Sequence, residues 1–392
     1  MAPRLEKKVT PSVQWKNPPV CSQCQTSHRT PDLWCTKCHE INTIQAIQGK
    51  KRTEMHPTTL WDFADFFPSF PHHISLQEGL TPVVSIKNVQ DLRGLKLKLE
   101  FRNPTGSFRD RAATLILSDA IRCQKSNIVT VSTGSFSISI AAYSACAGIN
   151  STNIVPQNIE LSKIEQMKLY GSKVIFKGDS LEEALEGSRK HIEKLKAAGA
   201  DYALYYEPTP ENNILTIEGQ KSLGLEIALD YPEIENVIIP RGSGTLIYSI
   251  YRGLQDAQKS GWIESLPRLY AVSLEKTAES HLAESIDIQR DPRWSDIISD
   301  VVKKTGGKEL TVTANRMTQE ALIIARQEGL LIEPASASVV VAARILRDED
   351  SLNMEKSVAI LTGSGLNAMN IFAAQLGGLK KVVWGLSVNS AK

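Results

Sequence analysis

Cys21-Ser-Gln-Cys24 and Cys35-Thr-Lys-Cys38 form two Cys-x-x-Cys pairs separated by ten residues, the spacing of two knuckles that close on one tetrahedral ion. Four thiolates in a chain of reducing-compartment character favour zinc over disulfides. Four cysteines fill such a site and leave no open position, so the expected role is structural. A small residue usually follows each knuckle, but Gln25 and His39 stand there. His28 and His39 are spare nitrogen donors beside a thiolate set that is already complete.

Three further segments have the means to hold an anion. Ser132-Thr-Gly-Ser135 precedes an apolar helical pattern, and a helix start rich in Ser, Thr and Gly is a good anion site, so Ser132, Thr133, Gly134 and Ser135 are candidate anion donors. Arg241-Gly-Ser-Gly-Thr-Leu246 follows the buried-strand pattern Val237-Ile-Ile-Pro240. Gly-rich turns at such a junction let consecutive backbone amides converge on a phosphate. The third segment, Asn103-Pro-Thr-Gly-Ser-Phe-Arg-Asp-Arg111, carries Arg109. A guanidinium is a bidentate partner for phosphate or carboxylate but neither a neutral nucleophile nor a base near neutral pH.

Each of these segments needs a strand before it and a helix after it. The alternation Leu95-Lys-Leu-Lys-Leu99 predicts a half-buried strand, and Ala112 to Ile121 has helical apolar spacing, so Asn103–Arg111 is a strand-to-helix turn. Asn103 and Pro104 break the strand, Gly106 allows a tight path, and Ser107 or Asp110 can accept amide protons where the helix begins. Ile128–Val131 predicts a buried strand, followed by a helix that runs through Ala147 and ends at Gly148. Such turns place side chains at the C-terminal edge of an open sheet, where α/β proteins bind ligands. Ile41 to about Thr59 is polar and reads as a linker; Trp61 to Phe67 supplies aromatics for the body, and His72 and His73 read as an exposed loop pair.

The chain has 392 residues, 42% apolar and 22% charged, enough for two or three domains of ordinary composition. A formal net charge of +2 gives no bulk attraction to nucleic acid or anionic membrane. No apolar run is long enough to span a bilayer, and Met1 to Lys8 has no apolar signal core, so the expected location is cytosolic.

Taken in order, these segments resemble threonine synthase, in the tryptophan-synthase-β-like group of pyridoxal-phosphate (PLP) enzymes. The Asn103–Arg111 turn is similar to a family segment whose lysine forms an imine with the cofactor; that position is Arg109 here. Glu78-Gly-Leu-Thr-Pro82, Lys163 to Gly171, Glu218-Gly-Gln-Lys221, Glu328 to Ala337 and Val358 to Asn367 resemble further family signatures. The resemblance implies an α/β, two-domain fold-type II PLP-enzyme fold of three-layer αβα domains with an N-terminal zinc ribbon. The expected divisions are 1–50 for the ribbon extension, 51–215 for a first α/β domain and 216–392 for a second, with the strands near residue 80 free to cross between them. It also implies that Ser135 takes the place of an Asn that bonds the cofactor's ring hydroxyl, that Gly242 to Thr245 hold its phosphate, and that Thr362 meets the pyridine nitrogen. Ser364 and Asn367 replace a His and a Lys of the family pattern.

Family chemistry would release phosphate from a phosphorylated amino acid, with the lysine as both imine donor and base. Arg109 removes both roles. The leading expectation is a paralogue that has lost lysine-dependent catalysis and binds an anionic small molecule, a phosphorylated amino acid or similar, with PLP held non-covalently if at all. It would act as a homodimer or as the regulatory partner of an active homologue. An active threonine synthase or related enzyme using another amine, and an interaction scaffold, are the alternatives.

Overall fold

The computed structural model describes residues 18–45, 51–132, 134–157, 159–201, 204–288, 291–349 and 351–375; Thr133 and the first seventeen residues of the expected ribbon extension lie outside them. In chain order the main elements are β1 (Val20–Cys21), β2 (Asn42–Thr43), β3 (Val83–Ser85), β4 (Lys96–Leu99), α1 (Asp110–Arg122), β5 (Asn127–Val131), α2 (Ser135–Ala147), β6 (Asn150–Val155), α3 (Leu161–Leu169), β7 (Lys173–Phe176), α4 (Leu181–Ala197), β8 (Tyr205–Tyr206), α5 (Ile214–Gln220) and α6 (Ser222–Asp230). They continue with β9 (Asn236–Arg241), α7 (Thr245–Lys259), β10 (Arg268–Glu275), α8 (Pro292–Lys304), β11 (Glu309–Thr313), α9 (Ala314–Glu328), α10 (Pro334–Asp348), β12 (Ser357–Leu361) and α11 (Met369–Gln375).

Two sheets organise the body. One is six-stranded, in the order β11-β10-β9-β12-β4-β3, and is parallel except for its edge strand β3. The other has the order β7-β6-β5-β8 and is parallel throughout. Helices cover both faces of a parallel sheet, so its central strands read as continuous apolar runs rather than alternations; all six residues of β9 are buried. Strands β3 and β4 precede α1 in the chain, but β4 pairs with β12 and carries β3 on its outer edge, which binds the segment before residue 100 to the sheet formed largely after residue 235. The 215/216 division falls inside the first turn of α5.

Two local expectations change. The Leu95–Leu99 alternation predicts one wet face, but Lys98 is 1% exposed. Its ammonium pairs with Glu226 Oε2 at 2.7 Å and donates to the Thr81 carbonyl. The lysine stem suits the covered face, and burial is tolerated because the charge is paired. Ile41 to Ile44 is not a linker: β2 pairs antiparallel with β1, and Ile41 and Ile44 are buried in the main core. Too few apolar residues lie there for a periodicity to show.

The turn before α1 is held from below by charge. Arg111 is fully buried, with Nε 2.7 Å from Glu100 Oε2 and Nη1 bonded to Glu226 Oε1 and Ser222 Oγ. Burial disfavours the Glu226 carboxylate, but Arg111 and then Lys98 overcome that and hold its pKa at about 2. One buried network therefore joins β4, α1 and α6.

Candidate ligand cavity and metal centre

The four cysteine sulfurs lie within 4.8 Å of one another, with Cys21 Sγ 3.4 Å from Cys38 Sγ and Cys24 Sγ 3.7 Å from Cys35 Sγ. Zinc–sulfur bonds of about 2.3 Å in a tetrahedron require sulfurs about 3.8 Å apart, so the set fits zinc. The amides of Cys24 and Lys37 point at Cys21 Sγ and Cys35 Sγ. Gln25 and His39, the residues after each knuckle, have φ of 57° and 62°, the left-handed region that explains the usual small residue there.

The second site lies between the two sheets, at the C-terminal ends of their strands. Ser132 follows β5, Gly242 follows β9, Thr362 follows β12, and the Arg109 turn follows β4. These residues, with Ser135, Ser243, Gly244 and Thr245, line one cavity of about 250 Å³. Gly134 lies just behind the lining, because the Lys163 side chain crosses it: a Cβ at Gly134 would meet Lys163 Cδ at 2.6 Å.

Local structure sets each wall. Arg109 N donates to Ser107 Oγ, whereas Asp110 turns back to accept from the Thr105 amide and hydroxyl. Phe108 N donates to the Thr362 carbonyl at 3.3 Å, pinning this turn against the end of β12. Thr362 Oγ1 is 2.9 Å from Ser336 Oγ, which also accepts from Gly363 N. Gly244 has φ of 108°, and a Cβ there would strike Ile298 at 2.6 Å, so only glycine lets the chain enter α7 this way. The Ser243 and Thr245 hydroxyls are 3.3 Å apart.

Arg109 sits over the Phe108 ring, its Cζ 4.7 Å from the centroid, and its Nη1 is buried with no hydrogen-bond partner. Burial lowers its pKa and the Glu211 charge opposes this; a guanidinium nonetheless stays protonated near neutral pH. Two carboxyls that no sequence motif marks as site residues line the same cavity. Glu211 is pushed up by burial, against Arg109 and the Ser243 hydroxyl. Glu333 is pushed up to about 7 by burial, against the nearby Lys163 charge. Lys163 is itself buried in the cavity wall and paired with Glu284, with Glu160 at 3.8 Å. Lys221, another lysine of the sequence motifs, is not in the lining; it pairs with Glu218 at 2.5 Å and Asp256 at 3.1 Å. Glu211 lies in no periodic pattern, so nothing local marks it.

An unpartnered guanidinium nitrogen, two hydroxyls and the N-terminus of the fifteen-residue α7 fit a phosphate. If PLP were bound, Gly242 to Thr245 would hold its phosphate and Thr362 would face its ring. Position 109 does not fit a bond to its aldehyde, because a guanidinium offers no neutral amine.

A family model described as pyridoxal-phosphate dependent enzyme matches residues 74–363. Among curated proteins, a threonine synthase of Methanosarcina acetivorans is 27% identical over 375 residues, covering 87% of this chain and 90% of its own length. A threonine synthase of Methanocaldococcus jannaschii is 29% identical, covering 84% and 85%. Among solved structures, maize serine racemase aligns with a TM-score of 0.61 at 20% identity, over 76% of this chain and 92% of that one. The O-acetylserine-dependent cystathionine beta-synthase of Helicobacter pylori aligns with a TM-score of 0.61 at 21% identity, over 81% and 98%. The last two likenesses speak to fold alone.

Proposed function

The chain belongs to the pyridoxal-phosphate-dependent enzyme family, and from that membership we propose that its cavity holds a phosphorylated small molecule, PLP or a phosphorylated amino acid, with no covalent bond at residue 109. On this reading it is a ligand-binding or regulatory relative of the threonine synthases. PLP supplies, when bound, an electron sink for chemistry at an amino acid's carbons. This chain's own contribution is binding. Gly242 to Thr245 and Arg109 take the phosphate, and the Ser132–Ser135 turn takes a carboxylate. The observation that carries the reading is the Arg109 guanidinium, whose Nη1 is buried at the cavity without a protein acceptor. An unsatisfied buried donor costs about 1–3 kcal/mol, and more for a charged group, which a phosphate oxygen would recover.

A second reading is favoured by the relatives, which are enzymes by name, and by Lys163, a buried lysine in the same wall. Its Nζ is engaged by Glu284, which weighs against it as a free nucleophile. One experiment separates the two. Purified protein is scanned for absorbance before and after PLP is added, then reduced with borohydride and peptide-mapped. The binding reading expects tight, fully dialysable PLP and no modified lysine. A reduced adduct on Lys163, or on any other lysine, with phosphate release from O-phosphohomoserine, would replace it with the enzyme reading.

A further inference from the structure

The metal centre and the cavity are joined by one stretch of ribbon. Pro31 to Trp34 runs beside the segment Glu211–Ile214: Leu33 N donates to the Asn212 carbonyl and Ile214 N to the Pro31 carbonyl, both at 2.8 Å. Trp34 Nε1–H donates to the Glu211 carbonyl at 3.0 Å. The same indole meets Trp294 edge-on at 5.7 Å, and the Arg293 guanidinium lies over it at 4.0 Å. Arg293 in turn grips Asp291, Nη2 to Oδ2 at 2.5 Å. Glu211, Asp291 and Trp294 all line the cavity. Glu211 acts on both Arg109 and Ser243, the two sides of the phosphate cradle. Trp34 is followed directly by Cys35.

We propose that the ribbon is a working part of the ligand site: zinc on Cys21, Cys24, Cys35 and Cys38 fixes Trp34, and Trp34 positions Glu211 and Trp294 in the cavity wall, so that ligand affinity depends on metal occupancy. The physical basis is that a ribbon this small has no core of its own. Among the described residues its buried Leu33, Ile41 and Ile44 pack into the body's cluster, and its two knuckles are otherwise bridged by the short β1–β2 pair and two hydrogen bonds beside it, Ser22 N to the Ile41 carbonyl and Thr43 Oγ1 to the Val20 carbonyl. Metal binding is then the folding energy of such a unit. Without the metal, Cys35 loses its anchor, and Trp34 beside it is left to the Pro31 and Leu33 backbone bonds and its ring contacts, which hold its donor to the Glu211 carbonyl less firmly. Trp34 is a positioning residue on this account, since it touches the walls and not the ligand. Linkage is reciprocal, so ligand should also tighten zinc.

The inference rests on the cavity being a phosphate-ligand site, and the test keeps the two apart. PLP and inorganic phosphate are titrated calorimetrically into zinc-loaded, chelator-stripped and zinc-reloaded protein, and into zinc-loaded Trp34→Phe. Far-UV circular dichroism reports the body's fold in each. The expected result is PLP affinity at least about tenfold weaker after stripping and restored on reloading. Trp34→Phe, which keeps an aromatic ring but lacks the indole donor, should weaken it about two- to tenfold, as expected for one hydrogen bond. Bound PLP should also slow zinc transfer to a colorimetric chelator. Unchanged PLP affinity in folded, stripped protein overturns the coupling, as does a Trp34→Phe protein that binds like wild type. If stripping unfolds the whole chain, the Trp34→Phe arm decides. If zinc-loaded wild type binds neither probe, the binding reading fails instead. The coupling is then judged by amide exchange at Asn212–Ile214, where loss of protection on stripping or in Trp34→Phe supports it and unchanged protection ends it.

Discussion

Two arginines two positions apart show how much a side chain's partners decide. Arg111 is surrounded by Glu100, Glu226 and Ser222 and is consumed by structure. Arg109 keeps a buried nitrogen without a partner and so keeps charge for a ligand. Arg109→Met should weaken PLP binding about 10- to 100-fold, the worth of a charge-assisted hydrogen bond of about 1.5–3 kcal/mol, as read by calorimetry. An equal affinity in the variant would move the phosphate site elsewhere. Glu333 gives a second test. Its folded pKa lies at about 7, above the ordinary 4.5, because burial penalises the carboxylate. A raised acid lets the folded state bind the extra proton, so this group's contribution to stability falls as pH rises from 4.5 to about 7. Glu333→Gln removes that loss. Its melting temperature relative to wild type should therefore climb between pH 5 and pH 8, and a constant gap would contradict the shift.

At the level of elements, the ribbon shows a conflict between sequence and backbone. The knuckles demand a left-handed residue after each second cysteine, and His39 accepts it at φ 62° while keeping its amide bonded to the Cys35 carbonyl at 3.0 Å. A non-glycine residue there carries roughly 1–2 kcal/mol of strain, against about 0.5–1 kcal/mol of extra chain entropy lost by glycine. His39→Gly should therefore raise the stability of zinc-loaded protein by up to about 1 kcal/mol, measured by thermal or denaturant unfolding. A loss of stability would mean that the His39 side chain makes a contribution of its own. His73 is a smaller instance of context: in a segment read as an exposed loop pair, it lies flat on Trp61 at 3.8 Å. Stacking of this kind leaves no mark in local sequence.

Across the whole molecule, elements far apart in the chain meet through buried charge as well as apolar packing. Glu226 bridges Lys98 of β4 and Arg111 of α1 from its place on α6. Removing one partner of a buried pair leaves the other charge unpaired, so Glu226→Gln should cost about 3–5 kcal/mol in denaturant unfolding. Because its folded pKa is depressed to about 2, its stabilisation is complete above 4.5 and is lost as pH falls from there through about 2. Wild type should lose stability across that acid window more steeply than the variant. Parallel slopes would show that the network is not the acid-labile joint.

Local sequence is enough to specify the alternation of strands and helices, the metal-ligand quartet and the turns at strand ends, because these depend on spacing within a few residues. The end of α2 at Gly148 follows from local conformation alone, a glycine in the left-handed region after the last turn. Local sequence did not determine which strands share a sheet: β3 and β4 join β12 across more than 250 residues of chain. Nor did it show that Lys98 is buried, that Lys163 and Glu333 enter the cavity, or that the ribbon reaches Glu211. Those facts depend on which faces are covered and which charges meet in low dielectric. Only the folded chain brings residues 34, 109, 211 and 294 to one place.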